Sequence, residues 1–152
     1  MEVEMQIRRR SLILAVTCLL ALFLNNVQAA ETSGTLIVDI NGFADSEGYA
    51  MVAVFSSKEA YKAGSPKTAK AKIKVADQKA RAVFNDLTYG TYAVAMFHDR
   101  NANGKMDKNA MGIPKEPYGH SNNVRGIFGP PDFTKAKFDL DSSDKQIEIK
   151  LK

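Results

Sequence analysis

Asp99, Asn101, Asn103, Gly104 and Asp107 fall within nine residues of the stretch FHDRNANGKMDKNAMGIPKEPYGHSN, residues 97–122. Hard cations take oxygen ligands at such spacings, because a tight loop lets alternate side chains and one carbonyl converge on a point. Set against the EF-hand ligand order, Asp99 takes position 1, Asn101 position 3, Asn103 position 5, Gly104 the sharp turn, Lys105 the backbone-carbonyl position and Asp107 position 9. Position 12 is Ala110, so the bidentate glutamate is missing, and Glu116, the nearest carboxylate, has to fold back to replace it. A strand leads in where an EF-hand has a helix. With two formal charges the pattern implies weak calcium binding, about 10⁻⁴ to 10⁻³ M. The same residues also suit a metal-free bend, through Asx-turns and left-handed backbone at Asn103-Gly104. Both uses are open at this level.

His98, Asp99, Glu116, His120 and Ser121 carry the side chains of a hydrolase, with a histidine as base and a serine as nucleophile. The spacing guarantees no mutual distance, and the histidines, twenty-two residues apart, match no zinc pattern. No catalytic residue is assigned; a histidine closing an apolar strand is more often an anchor. Lys70, Lys72 and Lys74, with Lys79 and Arg81 after a turn, could form a basic hairpin stripe for an anionic partner. Lysines on an exposed strand also guard a sheet edge. Tyr118, Phe128 and Phe133 either line a groove or pin their long loop to the body, and pinning offsets the entropy of ordering it.

Strands must position these residues. Apolar side chains alternate in Thr35–Ile40, Thr68–Val75, Ala80–Phe84, Lys135–Leu140 and Gln146–Leu151, while Tyr49–Phe55 and Thr91–His98 are nearly all apolar, as central strands are. One short helix follows Ser56, which stands three residues before Glu59 as a capping box, and Gly64 and Pro66 stop it. The expectation is an all-β, seven-stranded antiparallel sandwich with one irregular loop from Asp99 to about Thr134.

Arg8, Arg9 and Arg10 precede an apolar run from Leu12 to Leu24 that ends in Val27-Gln28-Ala29-Ala30. This reads as a signal peptide over 1–29, leaving a single domain over 30–152 in the periplasm or outside the cell, without a retained membrane helix. Cys18, the one cysteine, leaves with it. Of 21 basic and 17 acidic residues, Arg8–Arg10, Glu2 and Glu4 are removed, leaving 18 and 15 and a net charge of +3, too mild to imply nucleic acid.

Two stretches resemble known families. Val83-Phe84-Asn85-Asp86-Leu87-Thr88-Tyr89-Gly90-Thr91-Tyr92 is similar to the F-x-D-L-x-x-G-x-Y element of prealbumin-like and related Ig-like domains. That resemblance implies a glycine-relaxed turn and a tyrosine whose hydroxyl anchors the corner. The phrases Gly90-Thr91-Tyr92-Ala93-Val94, His98–Asp107, Gly112–Gly119, Ser121-Asn122 and Phe128-Gly129-Pro130-Pro131-x-Phe133 resemble the bacterial exported family of domain of unknown function 2141, over about Gly34 to Leu151. It implies an exported sandwich with its signature in the long loop, and supplies no catalytic residues. The tail Glu148-Ile149-Lys150-Leu151-Lys152 lacks the Tyr-Arg-Gly-Ser ending of the prealbumin-like hydrolases. The sequence thus points to a noncatalytic binding or interaction domain for a protein, glycan or small molecule, with calcium as a possible cofactor. A structural domain with a metal-free loop and a hydrolase using His98 or His120 are the alternatives.

Overall fold

Leu36, Val38 and Ile40, every second residue of the strand, become the inward face of β1, Ser33–Asn41, with no exposure at all. The computed structural model describes residues 32–127 and 129–151. The expected signal segment and Phe128 lie outside the described residues. Seven further strands follow: β2 (Tyr49–Phe55), β3 (Ala69–Lys74), β4 (Lys79–Thr88), β5 (Gly90–Asp99), β6 (Tyr118–His120), β7 (Phe138–Leu140) and β8 (Asp144–Lys150). Two short helices, α1 (Lys58–Ala63) and α2 (Phe133–Ala136), and a 3₁₀ turn at Ser121–Asn123 complete the elements.

The strands form two sheets, ordered β4-β1-β8 and β3-β2-β5-β6, and β7 pairs with the start of β5. The expected antiparallel, seven-stranded arrangement is corrected on two points. β8 runs parallel to β1, from Thr35 opposite Asp144 to Asn41 opposite Lys150, so the smaller sheet is mixed. Alternation reports which face of a strand is buried and is blind to a partner's direction. The described residues also hold eight strands, because three residues of the expected loop pair with β5 as β6. That element is too short to show a period.

Inward residues of both sheets share one buried cluster, with Leu36, Val38, Ile40, Ala82 and Phe84 from one and Val52, Val54, Val94 and Met96 from the other. Phe55 and Ala93, on the opposite face of the larger sheet, form a second cluster with Ala60, Tyr61 and Ala136 of the helices. The larger sheet is therefore covered on both faces at its Phe55–Ala93 end. This is why β2 and β5 are nearly continuous apolar runs.

Asp77 and Gln78 take positive φ of 50° and 58°, and Ala76 and Lys79 exchange backbone bonds across them, as in a two-residue primed turn. This turn carries the chain from one sheet to the other: β3 pairs with β2, and β4 with β1. The expected basic hairpin stripe is thus divided. Lys70, Lys72 and Lys74 sit on the edge strand β3, with Lys72 and Lys74 over the Tyr49 ring, whereas Arg81 is paired with Asp39 at 2.6 Å. The helix cap also moves. Ser57 accepts from the Ala60 amide, while Ser56 accepts from the Thr68 hydroxyl. Tyr92 is buried and donates its hydroxyl to the Thr88 carbonyl at 2.7 Å, the corner anchor that the resemblance implies. Gly90 is not needed for a relaxed turn, since its φ is not positive and an added Cβ would meet nothing nearer than 3.9 Å.

Candidate functional site

β5 ends at Asp99, opposite Tyr49 of β2. The chain before β2 is pressed against this end: Gly48 has φ +66°, and a Cβ there would run into the Asp99 carbonyl. Asp99 is fully buried. Its Oδ1 accepts from the Asn103 amide at 3.0 Å and its Oδ2 from the Gly104 amide at 2.8 Å, so the carboxylate closes the loop around itself. Gly104, at φ +77°, supplies the left-handed backbone expected there.

The other members of the cluster gather on the same bend. Asn101 and Asn103 turn their amide nitrogens to the two oxygens of Asp107, at 2.7 and 3.1 Å. Their amide oxygens accept from the Asn103 and Lys105 backbone. Glu116 does fold back: its Oε1 accepts from the Arg100 amide at 3.2 Å and its Oε2 from the Asp107 amide at 3.0 Å. The structure therefore brings Asp99, Asn101, Asn103, Asp107 and Glu116 into one network, with Lys105 contributing its amide.

A cation at this bend needs oxygens that converge on a point. Here the side-chain oxygens point at N–H groups, and two NH₂ groups stand beside Asp107. Among the described residues no three His, Cys, Asp or Glu side chains are grouped as metal ligands are.

The candidate catalytic side chains are not brought together. His98 lies opposite Ala50 on the face of β5 that looks into the main core, edge-on to Phe43, with Nε2 2.7 Å from the Glu47 carbonyl. His120 lies opposite Ala95, on the other face, where its Nδ1 is 2.7 Å from the Tyr61 hydroxyl. Burial pushes the His120 imidazole down to about 4 and holds the Tyr61 phenol above its ordinary range. Both histidines act as anchors.

Ser121 joins neither. Its hydroxyl accepts from the Val94 amide at 2.9 Å and donates to the Ala136 carbonyl at 2.6 Å, tying α2 to β5. Asn122 donates to the Lys135 and Lys137 carbonyls, and Asn123 both donates to the Glu148 carbonyl and accepts from the Lys150 amide on β8. Residues 121–123 thus fasten the larger sheet to the helix layer and to the edge of the smaller sheet. Sequence reading missed this fastening; its one signal was adjacent asparagines, which tolerate the positive φ of 58° and 54° found there. Tyr118 and Phe133 pin the loop's return, with rings 5.9 Å from His120 and 5.8 Å from Tyr61.

With this geometry in view, a family described as an uncharacterized protein conserved in bacteria, DUF2141, matches residues 38–148. The chain belongs to that family. The DUF2141 match spans the self-bonded loop, the fastening at 121–123 and both sheets. No curated protein and no solved structure matches the chain. Among the described residues no helix is long and apolar enough to cross a membrane.

Proposed function

We propose that this chain is an exported, noncatalytic binding or interaction domain, a sandwich of Ig-like or prealbumin-like type that loses residues 1–29 on export. Its loop after β5 serves as a display element held by its own hydrogen bonds. The observation that carries this reading is Asp99, fully buried with both oxygens engaged by the Asn103 and Gly104 amides. Such a bend is already ordered, so a partner meeting the loop has less conformational entropy to remove. The noncatalytic part is supported by His98 and His120, which look out of opposite faces of one sheet.

A calcium-shaped form of the same loop is the second reading, through Asp99, Asn101, Asn103, the Lys105 carbonyl and Asp107. It is favoured by the return of Glu116 to the Asp107 amide, near where the missing carboxylate ligand belongs. A cation there has to displace the amide bonds to Asp107 and turn both asparagines over. Melting under calcium titration separates the two forms, because a ligand of the folded state alone raises Tm with its concentration. We expect an unchanged Tm at millimolar calcium and slow hydrogen exchange at the Gly104 amide without metal. A Tm that climbs with calcium puts the second reading ahead; rapid exchange at Gly104 defeats the self-held loop.

A further inference from the structure

Beyond the network, the loop makes a second, tighter turn. Lys108 bridges to Pro114, the Asn109 amide donates to the Ile113 carbonyl, and the Gly112 amide donates to the Asn109 carbonyl, both at 2.9 Å. The Asn109 side-chain oxygen accepts from the Met111 and Ile113 amides, each at 3.0 Å. Four amides of the turn are thereby used internally. What the turn leaves outward is apolar: Met111 is 80% exposed and Ile113 54%, beside exposed Ala110 and Gly112. Lys108 and Lys115 flank this tip and Lys105 precedes it in the chain, all three exposed, while Asp107, the sole acid between Gly104 and Lys115, is tied down by the two asparagines.

We propose that this tip docks on an anionic lipid bilayer surface, with Met111 and Ile113 entering the interface and the three lysines facing the headgroups. The inference rests on the display-loop reading and names its partner. Charge complementarity selects a negative surface, and each lysine near such a bilayer adds to binding. The four amides satisfied within the turn favour lipid over a protein that reads main chain, because hydrocarbon offers no hydrogen-bond partner and each amide already bonded escapes that cost. An unbranched thioether and one aliphatic side chain suit a fluid interface that has no pocket to match.

The test uses the full chain and vesicles of phosphatidylcholine with or without phosphatidylglycerol, read by co-sedimentation. Every variant keeps the apolar run at 12–24, so its contribution is common to all. Neutralising the three lysines (K105Q, K108Q, K115Q) is expected to weaken binding to anionic vesicles about a hundredfold, from about fivefold for each. Replacing the tip by M111S and I113S is expected to weaken it at least about tenfold, from the apolar area no longer buried. An environment-sensitive fluorophore, attached to the single thiol of a chain carrying C18S and M111C, reports the tip directly and is expected to shift to the blue on anionic vesicles only. A blue shift of equal size on neutral vesicles, or lysine-dependent binding with no spectral shift and no loss in the serine variant, overturns the proposal. So does a tip that ignores vesicles and binds an acidic protein. If the Gly104 amide is protected while the tip ignores lipid, only this inference falls; if that amide is unprotected, the display loop falls with it.

Discussion

Asp99–Pro117 continues from the end of β5 and Tyr118–Asn123 returns along its second half, and both rely on polar side chains, asparagine among them, yet they use them in opposite ways. The first turns its carboxylates and side-chain amides mainly on its own backbone, is held from outside chiefly at its two ends, and leaves its tip exposed. The second aims its side chains at the backbone of other elements, β5, α2 and β8, and is largely shut away from solvent at His120 and Ser121. A polar segment can thus be a free-standing object or a fastener, and the addresses of its hydrogen bonds decide which.

The comparison breaks first at Asp99. Asp99→Ala removes two charge-assisted bonds and leaves two amides facing a void, a loss of about 4 kcal/mol if the loop and the sheet end melt together. Urea unfolding measures it. A loss below about 1 kcal/mol means that the bend opens alone, without drawing on the sheet.

His120 sharpens the comparison from the other segment. Its folded pKa of about 4 lies below the ordinary value near 6.5, so the unfolded chain binds the extra proton first. Stability is therefore full above about pH 6.5 and falls as the pH drops toward 4, by up to about 3 kcal/mol. Urea midpoints between pH 7 and 5, about the range above most carboxylate titrations, read this term with little interference. His120→Asn should flatten the slope. A variant as steep as the parent places the acid sensitivity elsewhere.

Ser121→Ala comes next, at about 2 kcal/mol, because the Val94 amide loses its acceptor and the Ala136 carbonyl its donor in a buried place. Hydrogen exchange in α2 should rise with it, while exchange at Gly104 stays unchanged, if the two segments are independent. Coupled changes at both places erase the distinction between them.

Much of the fold was legible because alternation is a direct record of burial. Tyr49–Phe55 was placed to the residue, and Leu36, Val38 and Ile40 face the core as expected. The direction of β8 was not legible, since parallel and antiparallel partners bury the same side chains. Nor was α2. Ala136 between Lys135 and Lys137 reads as strand alternation, but Asp132 caps a helical turn that buries Ala136 against the outer cluster. In the loop, residue types foretold the tight bend, whereas a return of Glu116 was expected only as a substitute cation ligand, and the carboxylate instead accepts from the Arg100 and Asp107 amides. The histidines could not be sorted in the same way. His98 and His120 look out of opposite faces only because β6 registers Ala95 against His120, and three residues of strand carry no period from which to read that.

The smallest expected effect concerns Arg100, the first residue of the loop. Its guanidinium meets Asp45 at 2.8 Å and Glu47 at 3.2 Å, as if clasping the loop to the chain before β2. The arginine side chain is 59% exposed, so water and salt compete for both pairs, and Arg100→Ala should cost no more than about 0.5 kcal/mol. Packing of Gly48 under the Asp99 carbonyl, and the bond of the Arg100 amide to the Glu116 carboxylate, survive that change because neither uses the Arg100 side chain. A loss of 2 kcal/mol or more, about the cost of a buried bond, would mean that the loop leans on its neighbours after all. The contrast with the fastening segment would then be one of degree.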